Sequence, residues 1–302
     1  MPGALFGEDF IRRLDALRLA LVRSAGSRSE GLRLAGHPGG TGEFREHRNY
    51  VPGDEPRYID WNLYGRLERL FLKEFALEHE GRALVLLDAS ASMAAPGKFD
   101  FARRLAAALG YLALSGGDRL AAVAFAAERA VAVTPRPGPA GFLELLGFLE
   151  RLAPAGTSGL RAAAQRGAGA GVGRGRGAAV WISDFWTAPE AWADCAALAA
   201  RGWETSLVRV LAPEEVAPRP AGPLLLVDSE SGERLAVGGG EAAARAFESA
   251  AAGHAAALAA FAARHRCALL AADSSRPFEE AALELLRHGR LVEPRRPAVG
   301  PD

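Results

Sequence analysis

Two uninterrupted apolar runs end on an aspartate: Ala83-Leu-Val-Leu-Leu-Asp88 and Ala178-Ala-Val-Trp-Ile-Ser-Asp184. Small or polar residues and a helix-spaced segment follow each. A run with no polar alternation buries both faces, as a strand does inside a parallel sheet covered by helices on both sides. Comparable runs lie at 119–125, 205–211 and 267–273. Helical spacing marks 98–115, 139–152, 159–167, 188–201, 241–264 and 277–288. Residues 129–134 read as a hairpin partner of 119–125, and 223–237 as a separate hairpin with a Gly-containing turn. This alternation predicts an α/β fold, a doubly wound and mostly parallel sheet, with the strand C-termini as its working edge.

The sheet accounts for residues 82–288 as one domain. Residues 1–81 then form an N-terminal extension, opening on an amphipathic helix over 8–24 (Phe10, Ile11, Leu14, Leu17, Leu19, Leu21) and continuing as loop or short hairpin over 25–49. Residues 289–302, rich in proline and arginine, read as a mobile tail. The longest stretch free of Asp, Glu, Lys and Arg is the 15 residues from Ser249 to Ala263. That is short of the ~20 that a spanning helix needs. The first residues lack a signal-peptide pattern, which makes the cytoplasm the expected location. With 36 basic and 36 acidic residues the chain has no net charge, and no general positive field for nucleic acid. Two cysteines, Cys195 and Cys267, exclude a disulfide framework and a Cys-rich zinc site, and are expected as buried thiols. The Gly-rich stretch 167–179 lacks Gly-Lys-Ser/Thr and precedes a strand instead of following one, so it reads as a connector.

The chemistry concentrates at Asp88-Ala-Ser90-Ala-Ser92-Met93, directly after the first apolar run. Strand termination puts Asp88 on the carboxyl edge, and the turn aims Ser90 and Ser92 at the same point. A carboxylate and two hydroxyls are hard oxygen ligands suited to Mg²⁺, with Mn²⁺ or Ca²⁺ as alternatives. They need further oxygens, and Thr157 and Asp184 fall in loops on the same predicted edge. Ser158 competes for the role of Thr157, and Ser183 reads as a cap. An ordinary strand-to-helix cap is the structural alternative for Asp88-x-Ser90-x-Ser92 alone.

Asp88, Ser90, Ser92, Thr157 and Asp184 together resemble the metal-ion-dependent adhesion site of the von Willebrand factor type A fold. There the metal keeps a coordination position for a partner's carboxylate. Residues 50–61, Tyr-Val-Pro-Gly-Asp-Glu-Pro-Arg-Tyr-Ile-Asp-Trp, continuing through Tyr64, Arg66, Lys73 and Glu74 into the Asp88 motif, resemble the signature of the bacterial domain-of-unknown-function-58 family. Gly65 stands where that pattern has alanine. Many relatives carry two membrane helices before this segment. The resemblance implies a partner, an AAA+ ATPase of the MoxR type, and a role in complex assembly, metal insertion or chaperoning.

Within the signature, Pro52-Gly53-Asp54 reads as a turn braced by Arg57 and Asp60, with Tyr58 and Trp61 as apolar bulk that docks the segment. Phe185 and Trp186, next to Asp184, read either as interface aromatics or as anchors of the next helix. The six histidines are scattered, and no Gly-x-Ser-x-Gly elbow occurs. The expected function is therefore metal-dependent protein binding rather than catalysis. A metal-dependent hydrolase, or a structural module with a vacant site, is the alternative.

Overall fold

The structure is a computed structural model and describes residues 8–19, 43–51, 56, 59–76, 81–170, 177–216, 222–288 and 291–294. The chain divides into two compact units, one built from residues 1–22 and 81–302, the other from 23–80.

The larger unit begins with α1 (Glu8–Asp15) and β1 (Leu17–Leu19). The smaller unit contains β2 (Glu43–Asn49), α2 (Trp61–Leu67) and β3 (Phe71–Ala76). Strands β2 and β3 pair antiparallel. Asp60 starts α2: its Oδ1 accepts the backbone N–H groups of Asn62 and Leu63 at 3.0 and 3.1 Å. Its Oδ2 lies 2.9 Å from His47 Nε2. Trp61 is 61% exposed, so the expectation that it is a buried anchor is wrong. It follows the capping residue on a seven-residue helix with no buried position. Arg57 and Tyr58 lie outside the described residues.

Back in the larger unit the order is β4 (Arg82–Asp88), α3 (Lys98–Ser115), β5 (Arg119–Ala126), β6 (Arg129–Val133), α4 (Pro139–Glu150), α5 (Leu160–Ala168), β7 (Ala178–Ser183), α6 (Ala193–Ala200), β8 (Glu204–Leu211), α7 (Pro213–Val216), β9 (Leu224–Val227), β10 (Arg234–Val237), α8 (Glu241–Arg264), β11 (Ala268–Asp273), α9 (Phe278–His288) and β12 (Val292–Pro294). The main sheet runs β11-β8-β7-β4-β5-β6, with β6 antiparallel and every other pairing parallel. This is the doubly wound α/β arrangement that the apolar runs predict.

Strand periodicity splits the core into two layers. Val85, Leu87, Val180 and Ile182 pack with α3, α4 and α9 on one face. Leu84, Leu86, Val123 and Trp181 pack with α5, α6 and the C-terminal part of α8 on the other. Cys195 and Cys267 are buried free thiols in this second layer.

The division at residue 82 requires correction. Phe10 and Leu14 of α1 are fully buried in the first layer, and the Phe10 ring meets Phe278 edge-on at 5.5 Å. The helix expected over 8–24 stops at Asp15 because Leu17–Leu19 pairs antiparallel with β12, and that pairing overrides the helical period. The tail expected to be mobile from 289 thus supplies a strand; residues 295–302 lie outside the described ones. No helix among the described residues is long and apolar enough to cross a membrane.

Candidate functional site

The chain leaves β4 through α3 toward β5 on one side, then returns to place β7 on the other side of β4. Loops from β4 and β7 therefore diverge to opposite faces, opening the crevice in which doubly wound sheets hold ligands. Leu87 pairs with Ile182, so Asp88 and Ser183 end adjacent strands at that crevice.

Asp88 is fully buried. Its Oδ1 accepts the backbone N–H of Ser90 at 2.9 Å, and its Oδ2 accepts the hydroxyls of Ser158 at 2.8 Å and Ser183 at 2.6 Å. Ser90 and Ser92 lie beside it with their hydroxyl oxygens 3.0 Å apart. The 155–158 loop is tied in by backbone bonds: Ala155 N–H to Ala89 O and Ala91 N–H to Gly156 O, both 2.8 Å, and Ala127 N–H to Thr157 O. Gly156 adopts φ +75°, a left-handed position suited to glycine, and a Cβ at Gly159 would fall 1.7 Å from Ala127 O, so the close approach there demands glycine. The loop turns the Ser158 hydroxyl toward Asp88 and leaves Thr157 exposed. Of the two hydroxyls that competed for one role, Ser158 is the one that touches the aspartate. Ser183 does more than cap: besides donating to Asp88, it accepts the Phe185 N–H at 3.0 Å.

Asp184 sits in a different environment. Its Oδ2 meets Lys98 Nζ at 2.7 Å, and its Oδ1 accepts the Trp186 N–H at 3.1 Å. Lys98, at the start of α3, is fully buried and also donates to Ser92 O at 3.0 Å and Glu215 Oε1 at 2.8 Å. Glu215 accepts Trp186 Nε1–H at 2.8 Å and the Ala212 N–H at 2.7 Å. Arg209 donates from Nε to Asp184 O at 3.2 Å and lies over the Trp186 ring at 4.5 Å. Neither Lys98 nor Glu215 was singled out from the sequence. The available signal was compositional: Lys98 is one of only two lysines in an arginine-dominated chain. Phe185 is fully buried at φ +56°, with its carbonyl held by His254 Nε2 at 2.8 Å, so it is a core residue and not an interface aromatic. Trp186 is half-buried, its ring 4.8 Å from that of His254.

The two aspartates thus differ in charge balance. Lys98 neutralises Asp184, whereas Asp88 meets only neutral donors among the described residues. Burial, followed by the nearby Asp184 charge, pushes the Asp88 carboxyl up to about 6, against the lowering effect of its hydrogen bonds from Ser183 and Ser90. A sealed carboxylate without a counter-charge, beside two hydroxyls, is a donor set that fits a hard divalent cation. Asp184, whose charge is already met by the buried Lys98, fits a role through water better than direct ligation.

The family model described as "Protein of unknown function DUF58" matches residues 46–257. The curated relative "Uncharacterized protein Rv1480" of Mycobacterium tuberculosis (strain ATCC 25618 / H37Rv) is 33% identical over 207 residues, 65% of this chain and 63% of that protein. The chain therefore matches less than two thirds of that relative's length. Among solved structures, the conserved hypothetical protein BatB from Bacteroides thetaiotaomicron is similar at 18% identity and TM-score 0.37, over 69% of this chain and 98% of that one. The SpRpn10 VWA domain is similar at 10% identity and TM-score 0.39, over 68% and 94%.

Proposed function

The chain belongs to the DUF58 family, and from that premise we propose that it is a metal-dependent protein-binding module that works through the β4/β7 edge of its sheet. The observation that carries this reading is Asp88, fully buried at the topological switch point and facing only neutral donors among the described residues. Asp88, Ser90 and Ser92, with Thr157 or Ser158, would hold Mg²⁺ (or Mn²⁺ or Ca²⁺), and Asp184 would contribute through water. When bound, the cation supplies the counter-charge that Asp88 lacks and a position for an oxygen from a partner's Asp or Glu. The chain's own residues do the rest. Lys98 keeps Asp184 in place without competing for Asp88. The loop bonds at Ala89, Ala91 and Ala127 hold the edge preformed, so that little ordering cost falls on binding.

The proposed activity is binding without turnover, in the cytoplasm. The proposed partner is a MoxR-type AAA+ ATPase offering an acidic side chain, in complex assembly or chaperoning. The test is titration calorimetry with a purified MoxR-type AAA+ ATPase. Chelator and Asp88→Ala are each expected to weaken the complex at least tenfold. Arg136→Ala, which follows antiparallel β6 and lies toward the opposite edge, is expected to leave it unchanged. Equal affinity in chelator, in Mg²⁺ and with Asp88→Ala would overturn the metal-bridged mechanism.

A further inference from the structure

The β9–β10 hairpin is unusual for its composition. Leu224, Leu225, Leu226, Val227 and Leu235 are all exposed, between 41% and 62%. Apolar strands left open to water are uncommon on a surface with no interaction role. From Leu224 to Ala236 every residue is exposed except Glu230, at the turn. The turn is tightly made: Asp228 Oδ1 accepts the N–H groups of Glu230 and Ser231 at 2.9 and 2.6 Å and the Ser231 hydroxyl at 2.9 Å. Gly232 takes φ +75°, a left-handed position suited to glycine. This turn presents Glu230 so that its Oε2 accepts the backbone N–H of Ser158 at 3.0 Å. Ser158 is the residue whose hydroxyl donates to Asp88.

We infer that Glu230 is an internal carboxylate ligand of the site's rim, and that the β9–β10 hairpin is a latch which an acidic partner must lift to reach the Asp88 edge. The chemistry is that of competition between like groups. A carboxylate from the chain already bonds the loop next to which a partner's carboxylate would arrive, and two carboxylates at one rim repel. The Glu230–Ser158 bond, although made to a carboxylate, is a single hydrogen bond, and the several contacts that a partner brings can replace it. Opening the tip leaves the fold intact, since no core residue belongs to the hairpin. The inference rests on the proposed function for the identity of the competitor, whereas the latch itself rests on the Glu230–Ser158 contact.

The experiment compares the full chain with Glu230→Ala and Glu230→Gln by two readouts. Amide hydrogen exchange follows the Ser158 segment and the hairpin. Water-proton relaxation of added Mn²⁺, titrated with acetate, reads carboxylate access to the edge. Glu230→Ala is expected to speed exchange in both segments at least threefold, and to lower by at least threefold the acetate concentration that quenches the relaxation enhancement. Glu230→Gln keeps an acceptor for the Ser158 N–H but not the charge, so it should retain most of the protection while still admitting acetate more readily than wild type. Unchanged exchange in Glu230→Ala would overturn the latch. Faster exchange with an unchanged acetate midpoint would overturn its competition with carboxylates. Mn²⁺ that binds none of the three proteins would instead overturn the metal reading, and the exchange data alone would then decide the latch.

Discussion

Lys98 Nζ lies 2.7 Å from Asp184 Oδ2, and both side chains are sealed from water. Taking two charges out of solvent is costly, and the pair holds because Lys98 has two further acceptors, Ser92 O and Glu215 Oε1. Removing the cation strands Asp184. Lys98→Met is therefore expected to destabilise the chain by ~3–5 kcal/mol, the usual cost of breaking a buried pair. Lys98→Met combined with Asp184→Asn should recover part of that loss. Urea unfolding of the three variants checks it. Simple additivity of the two single changes would show that the residues do not act as a pair.

Thr157 and Ser158 are expected to separate stability from metal affinity. Ser158→Ala removes a hydroxyl that donates to a buried carboxylate, at a cost of ~1.5–3 kcal/mol for a hydrogen bond to a charged group. Thr157 is exposed, and Thr157→Ala should stay within ~0.5 kcal/mol in chelator. In wild type, Mg²⁺ at ~100 times its dissociation constant should add ~2.7 kcal/mol. Thermal unfolding with and without Mg²⁺ gives both quantities. If Thr157→Ala abolishes the Mg²⁺ increment while barely moving the chelator value, Thr157 is the ligand. If only Ser158→Ala does so, Ser158 is.

What could be read from the sequence followed from local patterns. Strands β4 and β7 were legible because burial on both faces leaves an apolar run with no alternation, and Asp88, Ser90 and Ser92 were legible because one turn brings them together. Side-chain direction in the 155–158 loop was not, since it depends on Gly156 at φ +75° and on the close approach of Gly159 to Ala127. Lys98 lies 86 residues from Asp184 and 117 from Glu215, and Glu230 lies 72 from Ser158, separations over which no periodicity carries information. Leu17 and Leu19 suited a helix and a strand equally well, and the β12 partner decided between them.

In the smaller unit, the residue to remove is Asp60 and not its aromatic neighbour. Asp60→Ala loses a cap with two N–H bonds and the contact with His47, for which ~1–2 kcal/mol is expected. Trp61→Ala deletes a side chain already mostly in water and should cost well under the ~3–5 kcal/mol of a core aromatic. Trp181→Ala, in the second core layer, provides that comparison. Amide exchange resolved to residues 59–76 reads the local effect. A larger loss of protection with Trp61→Ala than with Asp60→Ala would contradict the exposure found for Trp61.

The raised Asp88 carboxyl gives stability a pH dependence of definite sign. In chelator, native Asp88 holds its proton up to about 6, whereas the unfolded chain releases it near 3.8. Between those values the native state binds more protons, so this group's contribution falls as pH rises through the window and is level on either side. The span of the window corresponds to a loss of ~3 kcal/mol. Other carboxylates titrate nearby, so the quantity to measure is the difference between wild type and Asp88→Asn, in which the other groups cancel. That difference should shift by ~3 kcal/mol in favour of the variant as pH is raised from below 3.8 to above 6. Mg²⁺ takes the ionised carboxylate, so its stabilising increment should shrink as pH is lowered through about 6 and be missing from Asp88→Asn. Parallel stability curves for wild type and Asp88→Asn in chelator would mean that Asp88 finds a counter-charge in solution. A cation at this edge would then have no uncompensated charge to meet.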